Sequence, residues 1–440
     1  MLGALKLLTA RHTDPMALDT GVSWNSLLPA MLITDQKIFV QTKIDCNMTG
    51  RTDWASAEID QLKSEGRYIP IRTIESAQGA YVRIDGRKML NLCSNNYLGL
   101  ANNPEVRKAA IEAIEEFGVG AGAVRSIAGT NTLHMKVERT LAEFKNMESS
   151  IVFQGGLLAN SGTIPVMVGK DDVVFSEELN HASIIDGVRL SSARRVVYGH
   201  LNMEDLESKL KSERNTGKKA MIISDGVFSM DGDIAPLDRI TELGEKYDAM
   251  VYVDDAHGEG VLGSHGRGIV DHFHLHDRVD LEMGTFSKAL GTMGGFSAGS
   301  RDLIDLLHQR ARPFLFSSAL NPGDTAAVLK SIEILERDDS LVKKLWKNSD
   351  RLKSGLNDAG FNTGKSKTPI TPVIIGDEKK TLELSSALYK DGVFASPIVF
   401  PTVARGAARI RLMPSAVHSD EDIALAVEKF RKIGKSIGVV

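Results

Sequence analysis

Seven short apolar runs recur along the middle of this chain, and helical patterns fall between most of them. The runs lie at Ser150 to Phe153, Val173 to Phe175, Arg195 to Tyr198, Ala220 to Ile223, Met250 to Val253, Val279 to Met283 and Gly295 to Ala298. A strand covered on both faces reads as a continuous apolar run, and parallel strands need crossover connections that are usually helical. The alternation therefore predicts a mostly parallel sheet with helices on both faces. In open sheets of this kind ligands bind beyond the carboxyl ends of the strands. The residues just after each run are thus the ones to inspect for chemistry.

Three successive run ends carry reactive side chains. SDGVFSMDGD follows Ala220 to Ile223, DDAHGEGVLG follows Met250 to Val253, and GTFSKALG follows Val279 to Met283. A pyridine ring withdraws electrons best when its nitrogen is protonated, and a buried carboxylate at a strand end, Asp254, sustains that state. A phenolic oxygen on such a ring needs a donor, which His257 can supply. An aldehyde on the ring needs a primary amine, Lys288, set among Gly284, Thr285, Ser287, Ala289, Gly291 and Gly294 so that backbone and cofactor approach closely. Taken singly, Asp254 also fits a helix cap and His257 a loop histidine. Together at consecutive strand ends they favour a phosphorylated pyridine aldehyde.

Other segments offer further contacts. FQGGLLANSG places Gly155 and Gly156 where a helix opens, and amides at a helix start suit a phosphate. No GxxxxGK[ST] string occurs there, so a nucleotide P-loop is not supported. In LNHASIIDGVRL, His181 opens a helix and either stacks on a ring or caps the helix. Arg409 and Arg411 stand two apart in a strand pattern and share a face. An arginine fork there suits a substrate carboxylate, with one of the pair left to a salt bridge. HFHLH puts His272, His274 and His276 on one face if extended, but no carboxylate pattern completes a site, and no metal is expected.

The remaining chain sets the frame. At 440 residues, 42% hydrophobic and 25% charged, it can bury a sizeable core in two or three domains. Residues 1–47 read as an extension, with Met48 as an alternative start, and the arm, large domain and small domain are expected at 48–100, 101–325 and 326–440. Helices are predicted over Asp53 to Glu65, Pro104 to Phe117 and Thr132 to Phe144, and a hairpin over Tyr81 to Leu92. The C-terminal part has long helical patterns and apolar runs at Thr371 to Ile375 and Ala408 to Met413. A net charge of −4 without a basic block argues against nucleic acid. No run is long enough to span a membrane. Two cysteines, Cys46 and Cys93, exclude a disulfide framework and point to a reducing, cytoplasmic setting.

In this order CSNNYLGLAN, LNHASIIDGVRL, SDGVFSMDGD, VDDAH, GTFSKALG, HQRARPFLFSSAL and RGAARIR resemble the α-oxoamine synthases, fold-type I enzymes dependent on pyridoxal phosphate. The resemblance covers Asp53 to Gly438. It implies a seven-stranded, mostly parallel sheet with helices on both faces and a smaller α+β C-terminal domain. It further implies that Lys288 holds the cofactor and moves protons, Asp254 pairs with the ring nitrogen, His257 bonds the phenolic oxygen, His181 stacks and Ser229 lies near that oxygen. Thr285 and the backbone of Gly156 and Leu157 would hold the phosphate, and Ser317 and Ser318 would reach the phosphate of the other subunit in a homodimer. Asn95 and Arg411 would bind the substrate carboxylate, leaving Arg409 structural.

Within the family the expected activity is that of glycine C-acetyltransferase: condensation of glycine with acetyl-CoA, or the reverse cleavage in threonine degradation. The alternatives are 8-amino-7-oxononanoate synthase, acting on alanine and pimeloyl-CoA, and serine palmitoyltransferase. Val124 and Ser126 stand where succinyl-reading members carry Thr and Asn, which argues against succinyl-CoA. Gln154, Gly155, Gly156 and Leu157 replace the Ser-Cys-Phe type string of the acetyltransferase.

Overall fold

A computed structural model describes residues 50 to 440 apart from 66, 69 and 70. The expected extension over residues 1–47, the alternative start at Met48 and Cys46 lie outside the described residues. The chain divides into two units, Met1–Ile71 and Arg72–Val440. In the first, helix Asp53–Ser64 buries none of its residues.

The second unit holds thirteen strands. They are β1 (Tyr81–Ile84), β2 (Arg87–Asn91), β3 (Ser149–Phe153), β4 (Val173–Glu177), β5 (Arg194–Tyr198), β6 (Ala220–Asp225) and β7 (Met250–Asp254), followed by β8 (Leu281–Thr285), β9 (Gly295–Gly299), β10 (Thr371–Gly376), β11 (Val393–Phe394), β12 (Ser396–Ile398) and β13 (Ala408–Leu412). The seven predicted runs correspond to β3 through β9, which form one sheet in the order β3-β9-β8-β7-β6-β4-β5. Only β9 runs antiparallel to its neighbours. This is the fold-type I arrangement.

Side-chain parity along the strands builds two cores. Val173 and Phe175, Ala220 and Ile222, and Val251 and Val253 face one side, against Val137, Leu141 and Phe144 of helix Thr132–Lys145. Val174, Met221, Ile223, Tyr252, Leu281 and Met283 face the other, against Ala159 and Ile164 of helix Gly156–Met167. Both faces are apolar because both are covered, which is why the strands read as unbroken runs. Parity also fixes chemistry: Asp225, Asp254 and Thr285 continue the face that meets helix Gly156–Met167, whereas Glu282 points to the opposite core.

Toward the C-terminus, β10, β13 and β12 pair antiparallel, while β11 adds in parallel to the β1–β2 hairpin. Leu352, Leu384, Leu388, Ile410, Leu412 and Phe430 pack there. One expectation needs correction. Gly284 and Thr285 are not loop residues; they pair with Phe296 and Gly295, so β8 runs two residues further than its apolar stretch. The HFHLH segment does not take the extended form that would align its histidines: His272 ends helix Ile269–His272 and His274 has φ +56°. Among the described residues no helix is long and apolar enough to cross a membrane.

Candidate active site

Strands β6, β7 and β8 are neighbours in the sheet, so their carboxyl ends form one edge. A cavity of about 170 Å³ opens there, lined by Gly156, Leu157, His181, Ser229, Asp254, His257, Thr285 and Lys288 together with Ser183, Asp225, Ala256, Met283 and Ser287. Eight of the expected site residues thus converge within one chain.

Asp254 is held from two sides. Its Oδ1 accepts from the Ala256 amide at 3.0 Å and its Oδ2 from Asn160 Nδ2 at 2.7 Å. Asn160 also donates to Ser183 Oγ at 2.8 Å and accepts from Tyr252 O–H at 2.7 Å. The amide therefore has partners on both ends, and Asp254 remains an acceptor facing the cavity. Asp225 pairs with Asp254 in register, accepts from the His181 amide at 2.9 Å, and is pushed well above the carboxylate range by burial and by Asp254.

The two histidines are kept neutral. His181 caps helix Ala182–Ser191, its Nδ1 accepting from the Ser183 amide at 3.2 Å, so capping and cavity lining coexist. Burial lowers its pKa, against the pull of Asp254. His257 is depressed further by burial, with Lys288 and Arg411 adding to the effect. Its Nδ1 lies 2.8 Å from the Tyr97 hydroxyl. That buried hydroxyl is itself held protonated by burial, so it donates to Nδ1 and leaves the His257 proton on Nε2. Burial likewise lowers the Lys288 amine, opposed by Asp254 and Asp225.

The helix that begins at Gly156 has no side-chain cap, which leaves its first amides as free donors. A Cβ on Gly156 would come within 3.2 Å of Met283 and Thr285, so glycine permits the close approach of helix and strand. The Thr285 hydroxyl donates to the Gly294 carbonyl at 2.9 Å and lies 2.9 Å from Ser287 Oγ.

Arg411 reaches the site from β13. Its Nε donates to the Ser229 carbonyl at 2.5 Å, and both terminal nitrogens lie 3.4 Å from Asn95 Oδ1. Arg409 is committed elsewhere, to Asp231 and the Met230 carbonyl. Ser317 and Ser318 do not line the cavity of their own chain; Ser318 bridges to Val124 and is exposed.

Asn160, Ser183, Tyr252, Tyr97 and Asp225 escaped the sequence reading. A signal existed for Asn160: it follows Gly156 by four residues and so shares its helix face.

On the far face of the sheet lies a buried charge cluster. Lys145 Nζ is 2.5 Å from Glu282 Oε1, 2.8 Å from Glu259 Oε2 and 3.8 Å from Asp255 Oδ2. The three carboxyl groups approach one another closely, and the lysine ammonium reaches all three.

The chain matches the family described as aminotransferase class I and II over residues 87–430. It is 58% identical to the 8-amino-7-oxononanoate synthase of Thermosipho melanesiensis across 383 residues, 87% of this chain and 98% of that protein. The synthase of Petrotoga mobilis is 57% identical over 87% of this chain and 98% of its own length. Among solved structures, the Sphingomonas wittichii serine palmitoyltransferase superposes with a TM-score of 0.85 at 33% identity, covering 90% of this chain and all of that one.

The chain belongs to the aminotransferase class I and II family and, within it, to the α-oxoamine synthases. It is an acyltransferase dependent on pyridoxal phosphate. The residues present fit that cofactor: free helix-start amides for a phosphate, a fixed carboxylate for a ring nitrogen, a neutral imidazole for a phenolic oxygen and an amine for an aldehyde. The expectation of glycine C-acetyltransferase, with glycine, acetyl-CoA and threonine degradation, is corrected by relatives at 57% and 58% identity that carry another activity. Residues of the motifs behind that expectation line the cavity described above, and they say little about the acyl chain.

Proposed function

We propose that this chain joins alanine to a pimeloyl thioester to make 8-amino-7-oxononanoate. The identity of 58% over nearly the whole length of a synthase of that name carries the reading. The product's skeleton fits the substrates. Seven carbons come from the pimeloyl group and two from alanine after its carboxyl group leaves as CO₂. The thioester carbonyl becomes the ketone, and the thiol departs.

Pyridoxal phosphate, when bound, supplies the electron sink for negative charge at the α-carbon. The protein's own groups do the rest. Gly156 and Leu157 amides and Thr285 would hold the phosphate end, and Asp254, steadied by Asn160, would hold a proton on the ring nitrogen. His257 would donate from Nε2 to the phenolic oxygen, with Ser229 and His181 as further partners of the ring. Lys288 would hold the cofactor and, with its pKa lowered by burial, would take and return the α-proton. Arg411 and Asn95 receive the substrate carboxylate. Ser317, half-buried, and Ser318, exposed in their own chain, would reach the phosphate of a second copy in a homodimer.

A substrate panel tests this. The value of kcat/KM should be at least about tenfold higher for alanine with pimeloyl-CoA than for serine with palmitoyl-CoA or glycine with acetyl-CoA. Better turnover of serine with palmitoyl-CoA would overturn the proposal in favour of the other likeness. Arg411→Ala should raise the KM for alanine about tenfold or more, the loss of a charge-assisted contact. Visible absorbance of the bound cofactor should persist. An unchanged KM would move carboxylate binding elsewhere.

A further inference from the structure

His200 stands just after β5, outside the cavity, yet it grips the loop that carries Ser229. Its Nδ1 lies 2.6 Å from Glu177 Oε1 at the end of β4, and its Nε2 lies 3.3 Å from Asp233 Oδ2. A neutral imidazole has one N–H and cannot donate to both carboxylates; an imidazolium can. The ring also packs edge-on against Phe228, with centroids 4.6 Å apart.

Phe228 and Asp233 are the two shoulders of one hairpin-like loop. The Phe228 amide donates to the Asp233 carbonyl at 3.0 Å, and Val227 bridges to Ile234. The loop between them presents the Ser229 carbonyl to Arg411 and the Met230 carbonyl and Asp231 to Arg409. Its far end is tied down where Lys367 N and Thr368 Oγ1 donate to the Gly232 carbonyl. Of these ties, only the shoulder contact depends on a histidine.

We propose that His200, as a cation bridging Glu177 and Asp233, is a positioning residue that sets the Ser229 loop and thereby the Arg411 fork for the substrate carboxylate. The inference rests on the carboxylate-binding reading of Arg411 given above.

The groups that face His200 are of one sign. Glu177 and Glu178 come from the end of β4, with Glu178 Oε2 accepting the His200 amide at 3.2 Å, and Asp233 comes from the loop. The following helix offers Asp205, which is already paired with Lys209 at 2.6 Å. Burial works against the charge on His200, but Asp233 and Glu177 outweigh it and raise its pKa to about 9. The folded value lies above the unfolded one, so the stability the clamp contributes is fully present below about 6.5. It is lost as pH rises through about 9.

The test uses holoenzyme and measures alanine binding through the change in cofactor absorbance, which needs no acyl donor. His200→Gln keeps one neutral donor, and Glu177 retains the Leu179 and Leu201 amides. At pH 7.5 the variant should bind alanine about fivefold or more weakly than wild type, in the range of coupling through contiguous contacts. The ratio of the two dissociation constants cancels the titration of alanine itself. That ratio should fall toward one above pH 9, where wild type loses the same cation. A ratio near one at pH 7.5, or one that does not change with pH, overturns the inference. Asp233→Asn removes only the loop side of the clamp and should weaken binding in the same direction. If His200→Gln fails to hold cofactor, Asp233→Asn decides by the same ratio. A wild-type protein that responds to no amino acid overturns the carboxylate reading as well, whereas a responsive wild type with a ratio of one overturns this inference alone.

Discussion

Lys288→Ala is expected to lower kcat by a factor of about 10²–10⁴ from lost proton transfer alone, and to remove the visible absorbance of covalently held cofactor. Among the described residues no other amine lines the cavity. The remaining titratable groups are already engaged: Asp254 by Asn160 and Ala256, Asp225 by the His181 amide, His181 by Ser183 and His257 by Tyr97. None can stand in for Lys288 without giving up a buried partner. The Asp254–Asn160–Tyr252 network does not include Lys288, so the variant should fold and still take up cofactor without a covalent bond. An added small primary amine should restore part of the activity. Because burial lowers the Lys288 pKa, wild-type kcat/KM should gain its active form below the pH at which a free lysine amine titrates. The rescued variant should instead follow the pKa of the added amine. A variant retaining more than a few per cent of wild-type kcat would remove Lys288 from the proton-transfer step.

The sequence carried the sheet because covered parallel strands leave little room for anything but apolar side chains, and the runs from β3 to β9 are marked accordingly. It also carried Asp254, His257 and Lys288, because a reactive side chain just after such a run has few places to go except the sheet's carboxyl edge. What it concealed depends on three-dimensional neighbours. Asn160 looks like any polar residue in a helix until Asp254, 94 residues later, is found against it. Asp225 and Glu282 are both strand acids, but parity sends the first to the cavity and the second to the opposite core. Lys145 reads as a favourable cation at a helix C-terminus, and nothing nearby in sequence announces three buried acids around it. The HFHLH alternation would give a shared face only in an extended segment, and the backbone at His274 is left-handed instead. Acyl preference stayed hidden because the residues that made the strings recognisable gather around one cavity at the sheet's carboxyl edge.

Lys145→Met is expected to destabilise the fold by about 3–5 kcal/mol, the range for removing one partner of a buried ion pair. The lysine side chain is fully buried, as are those of Asp255 and Glu282, and Glu259 is nearly so. Burial alone would lower the lysine pKa, but Glu259, Glu282 and Asp255 reverse this and hold the ammonium far above its usual range. The acids are displaced in the sense that burial dictates: Asp255 well above the carboxylate range, Glu259 raised, and Glu282 raised to about 7 although Lys145 pulls each of them down. Asp255 Oδ1 and Glu259 Oε1 are buried without a hydrogen-bond partner. A folded carboxyl pKa above its unfolded value favours folding at low pH, and that contribution disappears as pH rises through the folded value. For Glu282 the window runs from the ordinary 4.5 to about 7. Without the ammonium all three acids should shift further upward, so the penalty should be small near pH 5 and should grow up to pH 8 and beyond. Urea unfolding of wild type and variant at those two pH values measures the difference. Adding Glu282→Gln to Lys145→Met should recover much of the loss at pH 8 and little at pH 5. A penalty independent of pH would mean that Lys145 acts by filling space, and that the charge beneath the Asp254 loop has no part in holding it.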